Sequence, residues 1–212
     1  LYYAALYKQD GSFDDWDANH NGYYGELNGE THTGPINIDQ VNLVPTVAVG
    51  RVPASTLEEV SRYVQKVIRY EQQAYGANWA KNALLMATND WIGNACKVQE
   101  RIAKDYLTDY KSTILSSAGS PCSGAGGLTP SAVTNGFNQG VGLVGYIGHG
   151  ASSDLAIPAG WWGISKIPQL TNANHLPIMV ASACNTAEFA VLPPYSAYID
   201  INNVGHKGSA QG

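Results

Sequence analysis

Residues 144–153 read VGYIGHGASS, and residues 176–184 read LPIMVASAC. Both begin as apolar runs of strand character, and each leads to a reactive side chain, His149 in the first and Cys184 in the second. Continuous apolar strands are the mark of a parallel sheet covered on both faces. In such sheets, functional groups gather where strands end at their carboxyl edge. If the two runs are neighbours, His149 and Cys184 emerge on one edge within side-chain reach. Cysteine attacks as a thiolate, and a nearby histidine lowers its pKa or takes its proton. Gly148 and Gly150 then read as room for a substrate carbonyl, with the N–H groups of Gly150 and Cys184 as donors to a tetrahedral oxyanion. Each side chain alone has a plainer reading: the histidine as a structural residue, the cysteine as a small core hydrophobe. Their joint placement at two strand ends favours chemistry.

The rest of the chain supplies the strand–helix alternation that such a sheet needs. LYYAALY (1–7) and LVPTVAVGRV (43–52) read as strands, separated by a polar loop from Asp10 to about Gln40. In residues 55–76, Ser55 and Glu58 form a capping box, Gly76 stands at the end, and Leu57, Val60, Tyr63, Val64, Val67 and Ile68 trace a helical apolar stripe. NALLMAT (82–88) reads as a buried strand, 94–109 as an amphipathic helix and KSTILSS (111–117) as a strand. Thr129 as N-cap and Pro130 at the first helical position start a short helix. VGLVGYIG (141–148) is a strand, a turn-rich stretch with a short helix near 165–171 follows, and 176–184 is the last clear strand.

Composition narrows the classes. The 212 residues suffice for one domain with a buried core; 44% are hydrophobic and 14% charged, against roughly a quarter charged in typical domains. Gly (23), Tyr (13) and many Asn, Ser and Thr take the place of charge, as is common on secreted surfaces. A net charge of −5 without a basic cluster argues against nucleic acid as a partner. No apolar run approaches the roughly 20 residues of a membrane span. The abrupt start on LYYAALY and the stop at HKGSAQG suggest a trimmed piece of a longer, processed chain, whose remaining segments are expected partners. Of the three cysteines, Cys96 and Cys122 lie in polar, loop-adjacent surroundings and Cys184 follows an apolar run. That favours a Cys96–Cys122 bridge with Cys184 reduced, although spacing leaves the connectivity open.

The stretch DDWDANHNGYYGE places Asp15, Asp17, Asn19 and Asn21 at alternating positions, followed by Gly22 and Glu26. Oxygen ligands in that rhythm suit Ca²⁺, though the acidic residue after Gly22 comes earlier than in an EF-hand. The competing reading is a solvated Asx-rich turn. His20 and His32 lie nearby without zinc spacing.

The motifs GYIGHGASSD (145–154) and QLTNANHLPIMVASACNTAEF (169–189), with NLVPTVAVGRVPASTLEEVSRYVQKVIRYE (42–71), resemble the gingipain-like cysteine peptidases, the C25-type family of the caspase-like clan. The resemblance covers about residues 20–190. It implies an α/β caspase-like sandwich, a mostly parallel sheet flanked by helices on both faces. The expected organisation is a single domain over 1–212, with a strand and calcium-binding loop region in 1–42 and the catalytic core in 43–212. The resemblance further implies a secreted or cell-surface endopeptidase acting on polypeptides, with Cys184 as nucleophile, His149 as general acid/base, Gly150 and Cys184 as oxyanion donors, and no catalytic cofactor. Glu26 is a candidate for the acid that orients the histidine. Glu30, Asp154, Trp161 and Trp162 are candidates for the substrate pocket, and structural Ca²⁺ is in keeping with the family. Two alternatives share these residues: a sortase-like transpeptidase of type IX secretion with the same dyad, and an inactive C25-like binding module.

Overall fold

The computed structural model describes residues 3–22, 24–25, 39–54, 56–88, 93–117, 122, 124–158, 160–186, 198–199 and 205–206. They fall into two compact units, 1–54 and 55–212.

In the larger unit the apolar segment Asn82–Ala87 forms β1, buried from Ala83 onward. It is the central strand of a five-stranded sheet with order β3-β2-β1-β4-β7, where β2 is Lys111–Ser116, β3 Gly126–Gly127, β4 Leu143–Ile147 and β7 Ile178–Ser182. Every ladder in this sheet is parallel. Successive strand residues face opposite sides, and two helices use the two sides. Leu84, Met86, Val144 and Tyr146 pack with Val133 and Phe137 of α3 (Pro130–Asn138). Ala87 packs instead with Ala95 and Cys96 of α2 (Ala95–Asp105), flanked by Ile114 and Ile147. Burial of each large apolar side chain here contributes about 1.5–3 kcal/mol. The architecture is an α/β fold with helices on both faces of a parallel sheet, as the resemblance to the caspase-like clan implies.

The helix starts follow local chemistry. Thr129 caps α3 by accepting the Ala132 N–H at 3.2 Å, and Pro130 stands where no N–H is required. In α1 (Leu57–Ala74) the capping box lies one residue later than Ser55 and Glu58: the Thr56 hydroxyl accepts from Glu59 N–H, and the Glu59 carboxylate accepts from Thr56 N–H. The sequence STLEE holds both frames, so the pattern alone could not choose. The apolar stripe of α1 forms as expected, yet none of its residues is buried. The helix is tied to its own unit by Arg69, which donates to Asn174 at 3.4 Å, and by the edge of Tyr70 against Trp79.

Two strands read from sequence are not strands. Residues 3–7 contribute a single bridge, Tyr7 to Phe13, and 43–52 contribute none. The segments do lie side by side, since Thr46 and Val47 N–H donate to Ala4 C=O at 2.8 and 3.1 Å. However, Pro45 has no N–H, and the Thr46 hydroxyl takes the Leu6 N–H at 3.2 Å. A side chain thus occupies the place of a ladder partner, and regular pairing stops. Conversely, the turn-rich stretch after His149 contains a hairpin that the sequence pattern does not announce: β5 (Asp154–Ile157) pairs antiparallel with β6 (Gly160–Gly163). Among the described residues no helix is long and apolar enough to cross a membrane.

Candidate active site

Strands β4 and β7 are adjacent and parallel, with Ile147 opposite Ser182. His149 and Cys184 therefore follow their strands by the same number of residues and leave the sheet at one carboxyl edge. The Gly148 N–H donates to Ser182 C=O at 3.2 Å and carries the pairing one step further. Both functional side chains are exposed.

The backbone around His149 is held from beneath. Its carbonyl accepts the Ala156 N–H at 3.0 Å, and the Ala151 N–H donates to Asp154 C=O at 2.8 Å, so the loop is stitched to β5. The buried Tyr146 hydroxyl lies 2.7 Å from His149 C=O and 2.6 Å from Ala156 C=O, sharing its proton between them. Sequence reading missed Tyr146 as a positioning residue; its signal was a polar-tipped ring inside an otherwise apolar strand.

The glycines act differently from the sequence expectation. A Cβ on Gly150 would stand 2.6 Å from Cys184 C=O, 2.6 Å from Thr186 Cγ2 and 2.9 Å from Ala183 Cβ. One on Gly148 would overlap Thr88 Oγ1 and the Tyr146 hydroxyl. The missing Cβ atoms leave space for the neighbouring protein rather than for a substrate, and so bring the histidine turn against the cysteine turn. Cys184 itself begins a tight turn in which Asn185 adopts φ of 54° and the Thr186 hydroxyl donates to Ala183 C=O at 3.4 Å. Asn is among the non-glycine residues that tolerate this left-handed conformation most readily. Neither Gly150 N–H nor Cys184 N–H donates to a carbonyl among the described residues.

Beside these turns opens a cleft of about 440 Å³, lined by Ser152, Asp154, Trp162, Met179, Ala181 and Thr186 among others. The Asp154 carboxylate accepts the Ser153 hydroxyl at 2.5 Å. Trp162 is mainly a core residue, stacked on Phe137 at 4.9 Å and donating through Nε1 to Thr134 Oγ1 at 3.0 Å. Trp161, one step along β6, is exposed and does not line the cleft. Glu26 and Glu30 lie outside the described residues.

In the smaller unit, Asp15 Oδ1 accepts Asp17 N–H, Asp17 carboxylate oxygens accept Asn21 and Gly22 N–H, and Asn19 Oδ1 also accepts Asn21 N–H. These side chains close the loop by their own Asx-turn hydrogen bonds. Among the described residues no group of three or more His, Cys, Asp or Glu is placed to hold a metal ion. The Cys96–Cys122 disulfide joins the first turn of α2 to the loop after β2, with Cα atoms 5.8 Å apart, and Cys184 is a free thiol.

Comparison with protein families matches residues 7–198 to the model described as Peptidase family C25. The chain belongs to peptidase family C25. Among curated proteins, this C25 chain is 27% identical to Gingipain R2 and to Gingipain R1 of Porphyromonas gingivalis over 177 residues. That is 81% of this chain but 22% and 16% of those relatives. Among solved structures, the crystal structure of the Arg-specific cysteine proteinase gingipain R is 25% identical, with a TM-score of 0.52 over 65% of this chain and 32% of that one. The complex of the Porphyromonas gingivalis RgpB pro- and mature domains matches in fold with a TM-score of 0.55, covering 69% of this chain and 34% of the neighbour. The C25 chain thus spans about a third or less of the proteins it resembles.

Proposed function

We propose that this C25 chain carries the catalytic dyad of an extracellular cysteine endopeptidase, with Cys184 as nucleophile and His149 as its proton acceptor and donor. The observation that carries the reading is the interlocked pair of turns at the ends of β4 and β7, where glycine at position 150 sets the imidazole-bearing segment against Cys184. The Cys184 thiol gives its proton to His149 and Sγ bonds to the peptide carbonyl carbon, moving the π electrons onto oxygen. The N–H groups of Gly150 and Cys184 are the available donors to that oxyanion, each worth about 10²–10³ in rate in comparable sites. Collapse expels the amine, which takes the proton from His149 and leaves a thioester. Water, deprotonated by the same imidazole, hydrolyses it and restores the thiol. The disulfide supports an oxidising, extracellular setting.

The test is hydrolysis of fluorogenic casein and of a peptide panel differing only at P1. Turnover is expected to fall by at least about 10³-fold in Cys184→Ala, since no other nucleophile replaces the thiolate. Hydrolysis that persists in Cys184→Ala, or a folded chain that cleaves none of these substrates, contradicts the proposal.

A further inference from the structure

The β5–β6 hairpin and the histidine turn meet at the backbone of Ala156. Within the hairpin Ala156 stands opposite Trp161, yet both of its polar backbone groups are used on the other side. Its N–H donates to His149 C=O at 3.0 Å, and its C=O accepts the Tyr146 hydroxyl at 2.6 Å. The same hydroxyl lies 2.7 Å from His149 C=O, so the phenol, Ala156 and His149 form a closed circuit. The contact continues on either side through the Gly150–Leu155 bridge and the Ala151 N–H on Asp154 C=O at 2.8 Å.

The two partners in this contact are unequally held. Leu155, Ile157 and Trp162 of the hairpin belong to the core, with Trp162 stacked on Phe137 and bonded to Thr134 Oγ1. Tyr146 is only 1% exposed. His149, in contrast, is exposed and has a glycine on each side. A turn of that kind has little of its own to fix an orientation, so the buried partner imposes one on it.

We propose that the β5–β6 hairpin positions His149, and that the Tyr146 hydroxyl is the joint through which it does so. This inference rests on the dyad reading above and extends it to a positioning element outside the two turns. Asp154, Leu155, Trp162 and Gly163 of the same hairpin line the neighbouring cleft, so the element beside a bound substrate is the one that orients the imidazole. Without the phenol proton, His149 C=O keeps only the Ala156 N–H from this circuit. One hydrogen bond of this kind is worth about a factor of three to ten in an equilibrium between held and displaced turns.

The test is peptide cleavage by the full chain, with kcat and KM read separately, in Tyr146→Phe, Gly160→Ala and the double variant. Tyr146→Phe keeps the ring and its packing and removes the joint alone. Gly160→Ala loosens the hairpin at its tip: Gly160 has φ of 129°, which alanine rarely adopts, and a Cβ there meets nothing within 4 Å. Tyr146→Phe is expected to lower kcat about tenfold with KM changed by less than about twofold. Gly160→Ala is expected to lower kcat about fivefold alone, but less than about twofold once the joint is already broken by Tyr146→Phe. The imidazole NMR signal of His149, assigned by its loss in His149→Ala, should shift in both single variants while circular dichroism is unchanged. That signal needs no turnover: a chain that cleaves no peptide defeats the dyad reading, and the signal still decides the coupling. Unchanged kcat in Tyr146→Phe, or in an inactive chain an unchanged His149 signal, overturns the proposal. Equal fold-losses from Gly160→Ala with and without the hydroxyl also overturn it, because hairpin and phenol would then act independently. A Tyr146→Phe chain that loses stability but keeps both kcat and the His149 signal overturns it as well, leaving Tyr146 a structural role only.

Discussion

Gly150→Ala is expected to destabilise the chain by about 1–3 kcal/mol and to slow peptide cleavage by about 10²-fold or more. The added methyl would meet the Cys184 carbonyl, Thr186 Cγ2 and Ala183 Cβ at 2.6–2.9 Å, far inside van der Waals contact. One of these contacts is backbone, so no rotamer change removes the overlap. The two turns must separate, which moves His149 away from the thiol and both N–H donors away from a common oxyanion. Urea denaturation reads the stability term, and casein hydrolysis reads the geometric one. Wild-type stability and turnover in Gly150→Ala would show that the turns are not interlocked.

Opening the disulfide should have the larger effect on stability. Cys96 and Cys122 are 26 residues apart, and the chain-entropy relation for a loop of that size gives about 3.5 kcal/mol. Cys96 is also fully buried against Ala87 and Ala95, so a serine pair would place polar atoms in an apolar cluster. Cys96→Ser with Cys122→Ser is therefore expected to lower the thermal midpoint by on the order of 10 °C. A shift of a degree or less would mean that the bond contributes little to the folded chain.

Much of the sheet was legible because its strands are unbroken apolar runs whose register their neighbours reinforce. Residues 82–88 and 111–117 announce β1 and β2 in this way, and Thr129-Pro130 marks the start of α3 by cap chemistry alone. The pairing of β4 with β7 was only a condition of the sequence reading, and the strand register meets it. What failed did so for local reasons. Residues 1–7 and 43–52 have strand composition, but a proline without N–H and a threonine hydroxyl that captures a backbone donor interrupt regular pairing between residues 3–7 and 43–52. The β5–β6 hairpin was hidden because Ser152, Ser153, Pro158 and Gly160 read as turn residues, and its strands are too short to display alternation. At the site, the residue types were visible and their reason was not: a glycine's empty Cβ position looks the same in sequence whether substrate or protein fills it.

Activation of the Cys184 thiol by His149 is the central claim. Treating the wild-type chain and His149→Ala with limiting iodoacetamide near neutral pH, followed by peptide mass mapping, measures it directly. Cys184 is expected to be labelled rapidly in the wild type and about tenfold or more slowly in His149→Ala, because no neighbouring base is left to take the thiol's proton as sulfur attacks. Equal, slow labelling of Cys184 in both proteins would contradict it.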